Sequence, residues 1–258
     1  MEVYMKSILI TGATANTGLA IARKFAKEGY TVGVTSRNAE QAEETARLIA
    51  EEVSVPTKGY KLELCDVGEI KRVFEQFEEE FGRLDAFVAN AANLGVDFGL
   101  MNTDEQSYYD ITDANIKGTF FCCQAAAEVM KRHGGGAIVT IGSVQALGAV
   151  RGRTVYSMTK AAISALVKNM AYELGEYGIR ANNLVAGAIH SKRWDVLTEE
   201  EKSARRARYP VGRESTEEEI ANGVYFLASE LSSSTTGTDL VIDSGISICM
   251  LPYTKSNT

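Results

Sequence analysis

The segment "YSMTK" places Tyr156 and Lys160 four residues apart. On a helix, positions i and i+4 share a face, so the phenol and the ammonium can enter one cleft. A free tyrosine titrates near ~10, too weakly acidic to exchange protons well at neutral pH. A cation beside it favours the phenolate and lowers that barrier. Ser143 ends the run "TIGS" farther upstream, where its hydroxyl could bond the same substrate oxygen as Tyr156. Asn115 lies earlier still, in "NIKG", within a long helical stretch. Taken alone, Tyr-x-x-x-Lys is weak evidence, because most such pairs are neighbours on a partly exposed helix. The order Asn115, Ser143, Tyr156, Lys160 along one alternating pattern gives the pair its weight.

These side chains need a frame. Short β-branched runs at Ser7–Thr11, Thr31–Thr35, Ala86–Ala89, Ala137–Ile141 and Gly178–Val185 end in small or turn residues. Longer helical stretches lie between them, at Gly18–Glu28, Ala39–Glu52, Val67–Phe81, Glu105–Arg132, Val155–Glu176 and Thr216–Ala228. The alternation predicts an α/β fold. Its core is a doubly wound parallel sheet of Rossmann type, about seven strands with helices on both faces. The strands are apolar throughout, as burial on both faces requires. With no repeat, low-complexity tract or linker, the 258 residues read as one domain spanning 1–258. One stretch breaks the rhythm. Residues 188–213 are polar and charged, carry the single Trp, and follow a strand where open α/β folds place substrate. They read as a lid over the cleft.

The first strand runs into "ITGATANTGLA". Gly12 ends the strand and Gly18 opens the helix, the setting in which backbone N–H groups hold a pyrophosphate. Asn16 stands where a nucleotide loop would carry a middle glycine, and asparagine enters the left-handed region readily. Thr11, Gly12, Thr14, Asn16, Thr17, Gly18 and Leu19 are therefore candidate cofactor contacts. The second strand ends in Ser36 and Arg37 rather than in the carboxylate that would grip a ribose 2′-hydroxyl. A guanidinium there favours a 2′-phosphate and so NADP(H), with NAD(H) possible. The alternative is a solvated Arg37. Asp66, beside Val67 in "LCDV", can accept from the adenine amino group or cap the helix that starts at Val67.

With these motifs in one order, the chain resembles the classical short-chain dehydrogenase/reductase family from Ser7 to about Ser247. The family's glycine loop matches Thr11, Gly12 and Gly18, with Asn16 departing. Its Asn-Ala-Gly matches Asn90, Ala91 and Ala92, its Pro-Gly is Ala186-Gly187, and its closing Asp-Gly-Gly is Asp243-Ser244-Gly245. The tetrad matches Asn115, Ser143, Tyr156 and Lys160. The resemblance implies hydride transfer with a nicotinamide cofactor. Tyr156 would act as acid or base, Lys160 would tune it and bind the nicotinamide ribose, and Ser143 would stabilise the oxyanion. Asn115 would hold a water that links Lys160 to solvent. Ile189 would pack on the nicotinamide, and Ser191 would replace the threonine that bonds the carboxamide. It also implies a tetramer built through the two long helices and the C-terminal region, where "ISICMLPY" is apolar.

Composition excludes several classes. A net charge of −7 without a basic block argues against nucleic acid or an anionic membrane surface. No stretch reaches the ~18 apolar residues of a membrane helix, and the N-terminus lacks the layout of a signal peptide. Cys65, Cys122, Cys123 and Cys249 read as free thiols in a reducing cytoplasm. Two histidines and no Cys/His cluster predict no catalytic metal, and His133 reads as structural.

Ser143, Gln145, Tyr156, His190 and Trp194 are the candidate substrate contacts. Lys192, Arg193, Arg205, Arg206 and Arg208 could attract an anionic substrate, or pair with Glu199–Glu201 as a solvated face, which is the preferred reading. The expectation is an NADP(H)-dependent oxidoreductase acting on a secondary alcohol or ketone. The substrate is a small polyol, sugar or sugar acid, or a 3-oxoacyl group. The alternative is a catalytically idle dinucleotide sensor.

Overall fold

The structure is a computed structural model, and it describes residues 5–95 and 99–249. Seven strands alternate with helices: β1 (Ser7–Ile10), α1 (Asn16–Lys27), β2 (Thr31–Ser36), α2 (Ala39–Val53), β3 (Thr57–Lys61), α3 (Val67–Phe81) and β4 (Ala86–Ala89). Then come α4 (Glu105–Thr112), α5 (Thr119–Arg132), β5 (Gly136–Ser143), α6 (Thr154–Leu174) and β6 (Ile179–Ala186). The chain continues through α7 (Lys192–Asp195), α8 (Glu199–Arg206), α9 (Glu217–Ala228) and β7 (Asp239–Ile242). The strand order is β3-β2-β1-β4-β5-β6-β7, every pair parallel. The winding reverses between β1 and β4, so the loops leaving these strands diverge and open a crevice at their carboxyl ends.

Alternation along each strand feeds two cores. Leu9, Phe87, Ile138 and Ala181 pack on one face with Phe74 and Phe77 of α3, Cys122 of α5 and Val167 of α6. Ile8, Ile10, Val88, Val139 and Leu184 pack on the other with Ile21 and Phe25 of α1, Ile49 of α2 and Val224 of α9. Both faces are covered, which is why these strands read as unbroken apolar runs.

The stretch 105–132 differs from the single helix expected of it. A π turn, Asp113–Gly118, separates α4 from α5. Gly118 lies against the β3–α3 loop, where an added Cβ would sit 2.7 Å from the Leu64 carbonyl oxygen. The wide turn rotates Asn115 inward until it is 1% exposed. Single-turn π insertions of this kind are common at functional sites.

Candidate active site

The cradle comes first in the chain. Gly12 has φ 63° and Asn16 φ 47°, so asparagine supplies the left-handed turn without a glycine. Gly18 has no such freedom to lose, but a Cβ there would overlap the Gly12 carbonyl oxygen and lie 2.7 Å from Asn90 Nδ2. Asn90 explains the closeness. Its Nδ2 donates to the carbonyls of Thr11 (2.9 Å) and Gly12 (3.0 Å). Thr11 Oγ1 in return accepts from the N–H groups of Asn90 (2.9 Å) and Ala91 (3.0 Å). Thr35, which sequence reasoning missed, accepts from Gly12 N–H through its hydroxyl (3.3 Å) and from Ala13 N–H through its carbonyl (3.0 Å). Its signal was a polar residue inside an apolar strand. Helix α1 begins after Ala15 without a side-chain cap and without an acid in its first turn, which leaves its N–H groups for an anion.

A cleft of about 870 Å³ opens beside the cradle, walled by Thr11, Gly12, Ser36, Arg37, Ala91 and Ala92 among the expected residues. Glu63, Leu64 and Asn93–Gly95 also wall it, and sequence reasoning did not reach them. Arg37 is exposed and has no hydrogen bond or ion pair among the described residues. Asp66 serves as the cap of α3, accepting from Glu69 N–H at 2.9 Å, and this bond lowers its carboxyl. It is not part of the cleft wall. A dinucleotide fits this ground: close glycine contacts, uncapped helix N–H groups and a free guanidinium lie along one edge.

Ser143, Tyr156 and Lys160 do not line that cleft either; they form a buried wall next to it. Ser143 ends β5 beside Tyr156, which is 8% exposed. Lys160, 3% exposed, donates to the Ile141 carbonyl at 2.7 Å, and its Nζ lies 5.6 Å from the centre of the Tyr156 ring. The expected lowering of the phenol by Lys160 is absent. Burial raises Tyr156, against smaller downward pulls from Arg153 and the Ser143 hydrogen bond. Burial instead lowers Lys160 to about 8, because no carboxylate offsets its desolvation.

Asn115 ties the wall to the cleft. Its Oδ1 accepts from Asn93 N–H at 2.7 Å. Its Nδ2 donates to the Asn93 carbonyl (3.0 Å) and to Thr159 Oγ1 (3.1 Å), a residue of α6 between Tyr156 and Lys160. Both amide protons are spent, so the side chain acts as a clamp. Where the turn hands over to α5, the Thr119 N–H donates to the Ile116 carbonyl three residues back, where an α-helix would use that of Asn115. Gln145 follows Ser143 in a tight turn, its N–H donating to Ser143 Oγ at 3.2 Å. Its Oε1 is buried without a partner.

Beyond β6, Gly187 donates its N–H to Ile242 (2.9 Å), and a Cβ there would lie 2.7 Å from the Asp243 Cα. Ala186 pairs in register with Ile242, and Ile189 forms an isolated parallel bridge with Ser215. Ser191 precedes α7. His190 and Trp194 are not brought to the cleft wall. Trp194 is 5% exposed, stacked on His190 with Arg205 and Arg206 over its ring. Nor, among the described residues, does Glu199–Glu201 form an ion pair with the arginines. Glu199 takes Lys202 at 2.8 Å, Glu201 completes a capping box with Thr198, and Arg206 turns to Glu214. The Arg193 side chain and residues 250–253 of the C-terminal apolar run lie outside the described residues. His133 bonds Glu78 at 2.8 Å.

A doubly wound sheet with a phosphate cradle at its switch point and a Ser–Tyr–Lys wall beside it defines a nicotinamide-dependent oxidoreductase. The comparisons agree. A family model described as enoyl-(acyl carrier protein) reductase matches residues 12–247. The 3-oxoacyl-[acyl-carrier-protein] reductase FabG of Staphylococcus aureus (strain Mu50) is 35% identical over 244 residues, covering 93% of this chain and 98% of that protein. The L-rhamnose-1-dehydrogenase of Scheffersomyces stipitis is 34% identical over 249 residues, covering 93% and 95%. Among solved structures, a gluconate 5-dehydrogenase from Burkholderia cenocepacia J2315, in complex with NADP and tartrate, superposes with a TM-score of 0.89 at 28% identity. It covers 96% of this chain and 97% of that one. The chain belongs to the short-chain dehydrogenase/reductase family, and it is an oxidoreductase that uses a nicotinamide cofactor.

Proposed function

We propose that the protein interconverts a secondary alcohol and a ketone on a small polar substrate of polyol, sugar or sugar-acid type, with NADP(H) as the preferred cofactor. The observation that carries this reading is Tyr156 beside Ser143 and next to a buried Lys160 that bonds a backbone carbonyl and has no carboxylate partner among the described residues. When bound, the nicotinamide supplies or accepts the hydride. In the direction of reduction, Tyr156 gives its phenolic proton to the carbonyl oxygen, and Ser143 donates a hydrogen bond to the same oxygen as charge gathers there. Lys160, lowered to about 8 by burial, holds a proton near the working pH and can restore the one Tyr156 gives up. Asn115, through Thr159 and Asn93, keeps α6 at a set distance from the cleft. Gln145 offers its unpaired Oε1 to a substrate hydroxyl.

Arg37, free at the cleft edge, supports the choice of NADP(H), and the gluconate 5-dehydrogenase neighbour is a complex with NADP. The named substrates of the relatives, rhamnose and gluconate, support a polyhydroxy compound. The match to a 3-oxoacyl-[acyl-carrier-protein] reductase supports a second reading, a 3-oxoacyl group. The same proposal takes the chain as one domain with residues 188–213 as its lid, acting in the cytoplasm as a homotetramer. Its support is four free cysteines and the exposure of Tyr109, Ile116, Phe120 and Met158 on the long helices. Among the described residues no helix is long and apolar enough to cross a membrane.

Titration with NADPH and NADH, then a panel of carbonyl substrates, tests the whole. Tyr156→Phe is expected to lose about 10²–10⁴-fold in turnover while binding NADPH normally. Ordinary turnover by that variant would overturn the mechanism.

A further inference from the structure

Glu214, just before α9, is 4% exposed, and both of its carboxylate oxygens are engaged by the segment that follows β6. Arg206, the last residue of α8, grips it with two parallel bonds, Nε to Oε2 and Nη2 to Oε1, each 2.8 Å. His190, three residues beyond Gly187, meets Oε1 through Nδ1 at 2.8 Å. The other ring nitrogen faces Asp195 Oδ1 at 3.2 Å. The backbone repeats the tie, since His190 N–H donates to the Ser215 carbonyl (2.8 Å) and Ser215 N–H to that of Ala188 (3.1 Å). Trp194 fills the space within, its ring 6.5 Å from His190 and near-parallel to it. One carboxylate thus closes the segment into a loop at its start and near its end.

We propose that Glu214 is a positioning residue for substrate binding, a latch that holds residues 188–213 closed through His190 and Arg206. The proposal rests on the reading of that segment as a lid. The exposure of the partners separates a latch from a structural prop. The side chains of Arg206 and His190 are 36% and 44% exposed, so both can turn to water when the carboxylate is lost. Only the Glu214 side chain is buried, and a neutral amide can occupy its place. The cost of breaking the tie therefore falls on the segment and not on the sheet beneath it.

The latch also carries a pH dependence. The hydrogen bond to Glu214, with that to Asp195, raises the His190 imidazole above its usual range. The charged groups facing the ring are Glu214, Asp195 and, from α9, Glu217, with the Arg206 cation bonded to the same Glu214 oxygen, Oε1. Only the imidazolium can donate to Glu214 and Asp195 together, because the neutral ring has a single N–H. The ring donates to both carboxylates at low pH and gives up one of the two bonds as pH rises through the raised value.

Glu214→Gln, Glu214→Asp and His190→Gln, each in the full chain, test this by hydrogen exchange and by steady-state kinetics. Glu214→Gln is expected to speed exchange in α7 and α8 about tenfold and to raise KM for the carbonyl substrate about tenfold, with kcat within about threefold. Glu214→Asp should recover part of both effects. His190→Gln should act in the same direction and flatten the dependence of KM on pH above the ordinary imidazole range. A folded Glu214→Gln protein with unchanged exchange in α7 and α8 would overturn the latch, as would faster exchange spread evenly over the sheet. Faster local exchange with an unchanged KM would overturn the lid reading and the positioning role with it. Failure of the oxidoreductase mechanism itself would show in Tyr156→Phe and leave the exchange result intact.

Discussion

Lys160 on α6 and Glu214 before α9 are both buried charges, and the two regions treat them in opposite ways. Lys160 rests on one backbone carbonyl, and burial lowers its ammonium to about 8. Glu214 receives a guanidinium and an imidazole, and its carboxyl falls to about 2. Removing one partner of a buried pair is destabilising, whereas an unpaired buried charge already bears the cost of desolvation. The comparison separates charge used for position from charge kept reactive. The segment after β6 uses ion pairs as fasteners. The α6 wall keeps a proton-bearing group without the counter-ion that would fix its protonation state.

The sharpest break of that comparison is Lys160→Met. Turnover should fall by about 100-fold or more, since the proton source beside Tyr156 is gone. Stability should nevertheless hold or rise, by about 2–4 °C in Tm for each kcal/mol gained in a chain of this size. The sign with pH follows from linkage. Lys160 takes up its proton more readily unfolded, near 10.5, than folded, near 8. Between those values the unfolded chain binds more protons, so its contribution to stability grows as pH rises from about 8 to 10 and is flat below. Urea unfolding at pH 7.5 and 9.5 should reveal this rise in the native chain and lose it in Lys160→Met. A marked drop in stability for that variant would place Lys160 with Glu214 among the fasteners.

Gly18→Ala probes a site where neither charge acts. The new methyl would overlap the Gly12 carbonyl and crowd Asn90, at a cost of about 1–3 kcal/mol, and NADPH should no longer raise Tm. The smallest effect is expected at Arg37, an exposed charge with no hydrogen bond or ion pair among the described residues. Arg37→Ala should weaken NADPH about tenfold, leave NADH unchanged and alter stability by less than about 0.5 kcal/mol. Tighter binding of NADH than NADPH by the native chain would remove the premise.

Much of this was legible locally. The doubly wound sheet follows from strand–helix alternation, and Asn16 takes the left-handed conformation its residue type allows. Ser143 meets Tyr156 because both sit at the carboxyl edge of the sheet, one ending β5 and the other near the start of α6. The π turn around Asn115 was not legible, since hydrophobic spacing runs through it with hardly a break. Nor were the partners of the cations in residues 188–213, because helix neighbours such as Glu199–Glu201 look as suitable as the distant Glu214.

By itself the sequence determined the order of elements, the glycine turn after β1 and the residue types of the Ser143–Tyr156–Lys160 wall. Each depends on backbone geometry that repeats over a few residues. Only the tertiary structure decided that Lys160 is desolvated, that Asn115 spends its amide on Asn93 and Thr159, and that His190 and Trp194 belong to a latch around Glu214. Those outcomes depend on which distant groups share a low-dielectric interior. Burial and pairing across the chain set the energy of a charge, and residue spacing carries no record of either.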